Sequence, residues 1–180
     1  MLDPAFGYVI IAGAALLFAT AGAQKLRDLA RFTEILAAYR VLPQAPARGL
    51  AWLVPCLELC AAAGLVCKPS RPTAILSAIA LLIAYAWGLG LNLKRGRVEL
   101  DCGCGGVRDR RAIAAWMVWR NLCLAAALGI AALPWSSRPL NPTDFLTVTG
   151  GLIAAIALYA AFDRLLGDIA PKALLLRSPS

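Results

Sequence analysis

Histidine is absent from this chain, and charge is scarce: only 16% of its 180 residues are Asp, Glu, Lys or Arg. Without an imidazole there is no general base of the Ser-His or Cys-His kind, so classical nucleophilic hydrolysis is excluded. The commonest neutral metal ligand is missing too, and no second cysteine pair stands near enough to close a tetrahedral zinc site. No glycine-rich loop follows a strand pattern, which removes phosphate-cradling chemistry. The start, Met1-Leu2-Asp3-Pro4, has no Lys or Arg. A secretory signal needs a basic first region, so Ala19-Thr20-Ala21 is not expected to be cleaved and the first apolar helix is expected to stay.

What the chain has in excess is apolar residues, 61% of the total. A soluble domain of this length would not be so apolar. They fall in five blocks, roughly Ala5–Ala23, Leu50–Cys67, Thr73–Leu93, Ala112–Leu133 and Phe145–Leu166. Each approaches the roughly 20 residues that a helix needs to cross a bilayer. Between the first two, Leu26, Leu29, Phe32, Ile35, Leu36 and Tyr39 recur every three to four residues, with Arg27, Asp28, Arg31 and Glu34 in the gaps. That pattern predicts an amphipathic interfacial helix over 25–42, ended by Pro43 and Pro46. The expected fold is all-α: one integral membrane domain over 1–180, a polytopic bundle of four core transmembrane helices plus a fifth, without internal repeats.

The net charge of +8 does not point to nucleic acid, because Lys and Arg gather between the apolar blocks, as topology signals and lipid contacts do. Segment 25–48, loop 94–111 and the C-terminal end share one side of a five-span protein and hold fourteen of them; the opposite side holds Lys68, Arg71 and Arg138. This bias predicts a multi-pass protein with its N-terminus outside and loop 94–111 in the cytoplasm.

Two charges are expected inside the bilayer. Glu58 and Arg120 each stand about eight residues, or about 12 Å, into their spans, which enter from the same side. Equal depth predicts an ion pair between them, either a structural clasp or part of a functional cavity. Asn121 points about 100° away from Arg120 and is expected to bond a neighbouring helix. Cys56, Cys60 and Cys67 share one helix face, and Cys123 lies in the fourth span; packing between helices is the expected role, a thiol relay the alternative. Trp116 and Trp119, near Arg120, could line a site for a flat ligand such as a quinone.

The sharpest motif is Asp101-Cys102-Gly103-Cys104-Gly105-Gly106 in the basic loop. Gly103 lets two thiols one residue apart approach each other, and Arg108, Arg110 and Arg111 favour thiolate. Three readings stay open: a redox-active dithiol, a soft-metal thiolate pair, and a loop without chemistry.

Taken in order, Ala21-Gly22-Ala23-Gln24-Lys25-Leu26-Arg27-Asp28, Phe32, Tyr39-Arg40-Val41-Leu42-Pro43, Pro55-Cys56-Leu57-Glu58, Cys102-Gly103-Cys104-Gly105-Gly106 and Arg120-Asn121 resemble the methylamine utilisation protein MauE family, within the wider DoxX-like group of redox-associated membrane proteins. The resemblance covers roughly residues 5–130. It implies a bacterial inner-membrane protein supporting maturation of methylamine dehydrogenase, whose small subunit carries many disulfides. It also implies a thioredoxin-like, MauD-like partner. The family's Cys-x-Cys falls on Cys102 and Cys104, which would be the catalytic pair of a thiol–disulfide oxidoreductase. Its buried acid falls on Glu58 and its Arg-Asn on Arg120 and Asn121; Gly105 stands where the family often has an aromatic. No metal is expected, and a quinone is a candidate electron acceptor. A non-catalytic scaffold for the thioredoxin-like partner and a thiol-based soft-metal carrier are the alternatives. One tension follows: disulfide chemistry on an exported enzyme belongs outside the cytoplasm, while the charge bias places the Cys102/Cys104 loop inside. The loop could dip into the bundle, pass electrons outward from a cytoplasmic reductant, or belong to a chain with a different span count.

Overall fold

The computed structural model describes residues 3–40, 47–98, 112–136 and 138–175, with the backbone alone at 47–48 and 167–175. Six helices account for nearly all of them: α1 (Pro4–Arg27), α2 (Leu29–Tyr39), α3 (Ala47–Val66), α4 (Arg71–Lys94), α5 (Ala115–Ala131) and α6 (Pro142–Leu175). Four are long and apolar enough to cross a membrane: α1, α3 from Gly49, α4, and α6 as far as Leu166. The all-α bundle expected from the five apolar blocks is what the chain forms.

Local chemistry sets the helix ends. Asp3 caps α1 by accepting from the Ala5 N–H, with Pro4 in the first turn where no donor is needed. Asp28 caps α2 through the Arg31 N–H, and α2 closes on Arg40 in the left-handed conformation. The Arg95 guanidinium donates to the Arg40 carbonyl, tying the end of α2 to the end of α4. Ser70 Oγ donates to the Gly64 and Cys67 carbonyls across the tight α3–α4 turn.

The expected fourth span starts three residues late, and α5 has only 17 residues. Ala114 is extended, and the Ile113 N–H donates to the Val98 carbonyl at 3.0 Å. Chain that pairs with the end of α4 in this way cannot also wind into α5.

α1, α3, α4 and α5 form a closed ring in which each packs on its neighbours; α2 folds beneath α3 and α1. The interior is built largely from alanines: Ala15, Ala61, Ala62, Ala74, Ala78, Ala125 and Ala131, around Phe18, Leu65, Leu82 and Leu128. Small side chains let helices approach closely where no hydrophobic force drives them together. A second cluster at the basic end joins Leu89, Ile113 and Met117, with Tyr39 of α2 against it. α6 stands outside the ring and rests on α1, with Gly151 against Val9.

At the opposite end, Arg138 ties three segments together. It bonds Asp3 at the head of α1, at 3.0 Å, and Asp144 in the first turn of α6, at 2.7 Å. These bonds, to Asp144 first and then Asp3, raise the guanidinium pKa above its ordinary value. Because Arg138 lies at the surface, its loss should act locally. Arg138→Gln is expected to speed protease cleavage between α5 and α6 with little change in the global melting temperature; a large fall in that temperature would mean that the clamp supports the whole bundle.

Candidate functional site

The ring holds one deeply buried acid, Glu58, whose side chain is 1% exposed. It belongs to the inward stripe of α3 with Ala51, Pro55, Ala61, Ala62 and Leu65. Lys25 Nζ, near the end of α1, meets Glu58 Oε1 at 2.6 Å. The Tyr85 hydroxyl of α4 donates to the same oxygen at 2.7 Å. The Lys25 ammonium also stands 5.4 Å from the Tyr85 ring centre and 5.5 Å from that of Phe32 in α2, a cation–π arrangement. Four helices therefore converge on one ion pair. Both donors use Oε1, and Glu58 Oε2 has no hydrogen-bond partner among the described residues. Gly22, one turn before Lys25, permits the approach: a Cβ there would lie 3.0 Å from Leu59 Cγ and 3.1 Å from the Pro55 carbonyl oxygen.

The expected Glu58–Arg120 pair does not form. α5 begins only at Ala115, so Arg120 is its sixth residue, and facing decides the pairing: Glu58 looks toward α1 and α4, while Arg120 lies outside the face of α5 that carries Met117, Asn121 and Leu128. Arg120 instead pairs with Asp163 of α6 at 2.9 Å and lies 5.2 Å and 5.8 Å from the ring centres of Trp116 and Tyr159. Sequence reasoning missed Lys25 and Asp163 because Lys25 sits near the end of α1 and Asp163 near the end of the apolar stretch of α6, where a charge is normally solvated. The available signal for Lys25 was its place one turn after Gly22, on the inward stripe of α1.

Asn121 is buried, but its amide donates to the Met117 carbonyl of its own helix, not to the neighbouring helix expected. Cys56, Cys60 and Cys67 do share one face, and it is the outward one; they and Cys123 are exposed free thiols rather than packing between helices. Trp119 is largely exposed, whereas Trp116 packs against the Leu89–Ile113–Met117 cluster. Cys102 and Cys104 lie outside the described residues. The points that bracket their segment are fixed: Val98 and Ile113 are hydrogen-bonded, and Ile113 is buried. Among the described residues, no group of three or more His, Cys, Asp or Glu is placed to hold a metal.

Fold and site together define a multi-pass helical membrane protein built around a buried Lys–Glu–Tyr centre. Residues 3–134 match the family model described as methylamine utilisation protein MauE. Among relatives, the methylamine utilization protein MauE of Paracoccus denitrificans is 38% identical over 141 residues, 78% of this chain and 74% of that protein. Its counterpart in Paracoccus versutus is 35% identical over 161 residues, covering 89% and 85% of the two chains. That of Methylophilus methylotrophus is 32% identical over 174 residues, covering 94% and 90%. The chain belongs to the MauE family. No solved structure matches it.

Proposed function

We propose that this protein serves methylamine utilisation in the bacterial inner membrane by thiol–disulfide exchange that helps mature methylamine dehydrogenase, working with a thioredoxin-like partner. The carrying observation is the Cys102-Gly103-Cys104 pair, set between segment ends joined by the Ile113–Val98 bond. A dithiol whose flanking chain leaves and re-enters the bundle at one anchored point can be offered repeatedly to a docking partner.

The exchange balances in two steps. One cysteine of the pair, as thiolate, attacks a partner disulfide; a mixed disulfide forms and one partner sulfur leaves as thiolate. The second cysteine then attacks the mixed disulfide, forming Cys102–Cys104 and releasing the second partner thiol. Two electrons pass from the pair to the partner, and reversal passes them back. A membrane quinone is the proposed acceptor when the pair must be reoxidised. Glu58, with Lys25, holds the bundle to which the segment is anchored.

Single Cys102→Ser and Cys104→Ser variants test this reading. One should accumulate a mixed disulfide, visible on non-reducing gels, and both should abolish maturation. Maturation intact in either variant would sink the mechanism and favour a scaffold role. A membrane-impermeant thiol reagent on intact cells reads the side: labelling only after permeabilisation agrees with the charge bias, and labelling from outside overturns it.

A further inference from the structure

We infer that the slot between α5 and α6 is a binding site for a single phospholipid, with an acyl chain between the helices and the ester carbonyls at the basic end. α5 and α6 both rest on α1 but scarcely touch each other. The slot is framed by charge at each end: Arg120–Asp163 bridges α5 to α6 at the basic end, and Arg138 holds Asp144 and Asp3 at the other. Asp144 and Asp163 are 19 residues apart, or about 28 Å of helix, close to the hydrocarbon thickness of a bilayer.

The face of α6 that carries Asp163 also carries Tyr159, Ile156 and Leu152 by helical spacing. Leu152 reaches α1 near Gly13. Ile156 and Tyr159, on the same inward side, remain 47% and 38% exposed. An inward face that stays open is a gap, and in a bilayer hydrocarbon fills an apolar gap.

Polarity says which amphiphile fits. Trp116 Nε1, buried beside Arg120 at the foot of the slot, is a donor with no acceptor among the described residues. Trp116 is the second residue of α5, at the depth where lipid ester groups meet the aromatic belt. Arg120 is already neutralised by Asp163, so the group recognised is a neutral acceptor, not an anion. An ester carbonyl supplies it after a small rotation of the indole.

The test uses the full chain, extracted in mild detergent and analysed by native mass spectrometry with extraction of the retained lipid. The wild type should keep a phospholipid through detergent exchange. Trp116→Phe keeps the ring and removes the donor; it should lose the lipid about three- to tenfold faster, the size of one neutral hydrogen bond. Ala127→Phe, on the Arg120 face of α5, should fill the slot and expel the lipid while circular dichroism and the Arg120–Asp163 coupling stay unchanged. Equal lipid retention in all three proteins would overturn the site. So would retention of a quinone in place of phospholipid, a result that would instead identify an electron-acceptor site.

Discussion

Lys25→Met should be among the most damaging single substitutions in the ring. It leaves Glu58 with Tyr85 as its only partner among the described residues, at a position 1% exposed. Breaking a buried pair from one side typically costs about 3–5 kcal/mol, because a charge stays behind without its counterion. Glu58→Gln should cost less: the amide oxygen can still accept from both Lys25 and Tyr85, and the cation left behind, at 9% exposure near the end of α1, is less deeply buried than Glu58. The decisive protein is the double variant Lys25→Met/Glu58→Met. With both charges gone, no ion is stranded, and much of the stability should return. Thermal unfolding in detergent measures all three. If the double variant melts no higher than Lys25→Met, the pair is not the source of the loss, and the Phe32 and Tyr85 contacts to the ammonium carry it.

The second large effect concerns a methyl group. Gly64→Ala places a Cβ 2.8 Å from the Cβ of Ala74. Neither atom can rotate away, so the helices must separate, and the Ser70 bonds that close the turn must stretch with them. Overpacking of this kind costs about 1–3 kcal/mol. Gly129→Ala is the matched control: nothing lies within 4 Å of its added Cβ. There the substitution should be neutral or stabilising by up to about 1 kcal/mol, since alanine is the better helix former. Opposite signs in the two melting temperatures are expected. A neutral Gly64→Ala would mean that the α3–α4 contact is looser than described.

The difference between these two glycines was invisible in the sequence, and that marks where sequence reading stops. The five apolar blocks and the three-to-four-residue spacing from Leu26 to Tyr39 marked out helical segments, because burial and helix period are local properties, but not their ends: α1 runs on to Arg27 and α2 covers only Leu29–Tyr39 of the expected 25–42. Glu58 stood out as a site residue for the same reason: a carboxylate amid apolar neighbours is improbable unless something answers it. Its partner was not legible. Pairing depends on which helix faces which, and equal depth along two spans says nothing about rotation or adjacency. The closed ring puts α1 and α4 beside α3, so Lys25 and Tyr85 reach Glu58 while Arg120 turns to Asp163. The short α5 was hidden likewise, since it depends on the Ile113–Val98 bond between residues 15 positions apart.

The Lys25–Glu58 contact also carries an order in time. The two residues are 33 positions apart, with lysine first. A ribosome adding about 5–20 residues per second delivers Glu58 some 2–7 s after Lys25. The cation is therefore already waiting when the carboxylate reaches the bilayer, so Glu58 need never sit in lipid as an unaccompanied charge. Tyr85 follows a further 27 residues on and closes the centre once α4 arrives. Exchanging the two residues, Lys25→Glu with Glu58→Lys, would keep the pair but reverse the schedule. A defect in membrane insertion, rather than in the finished protein's melting temperature, is where that reversal should register.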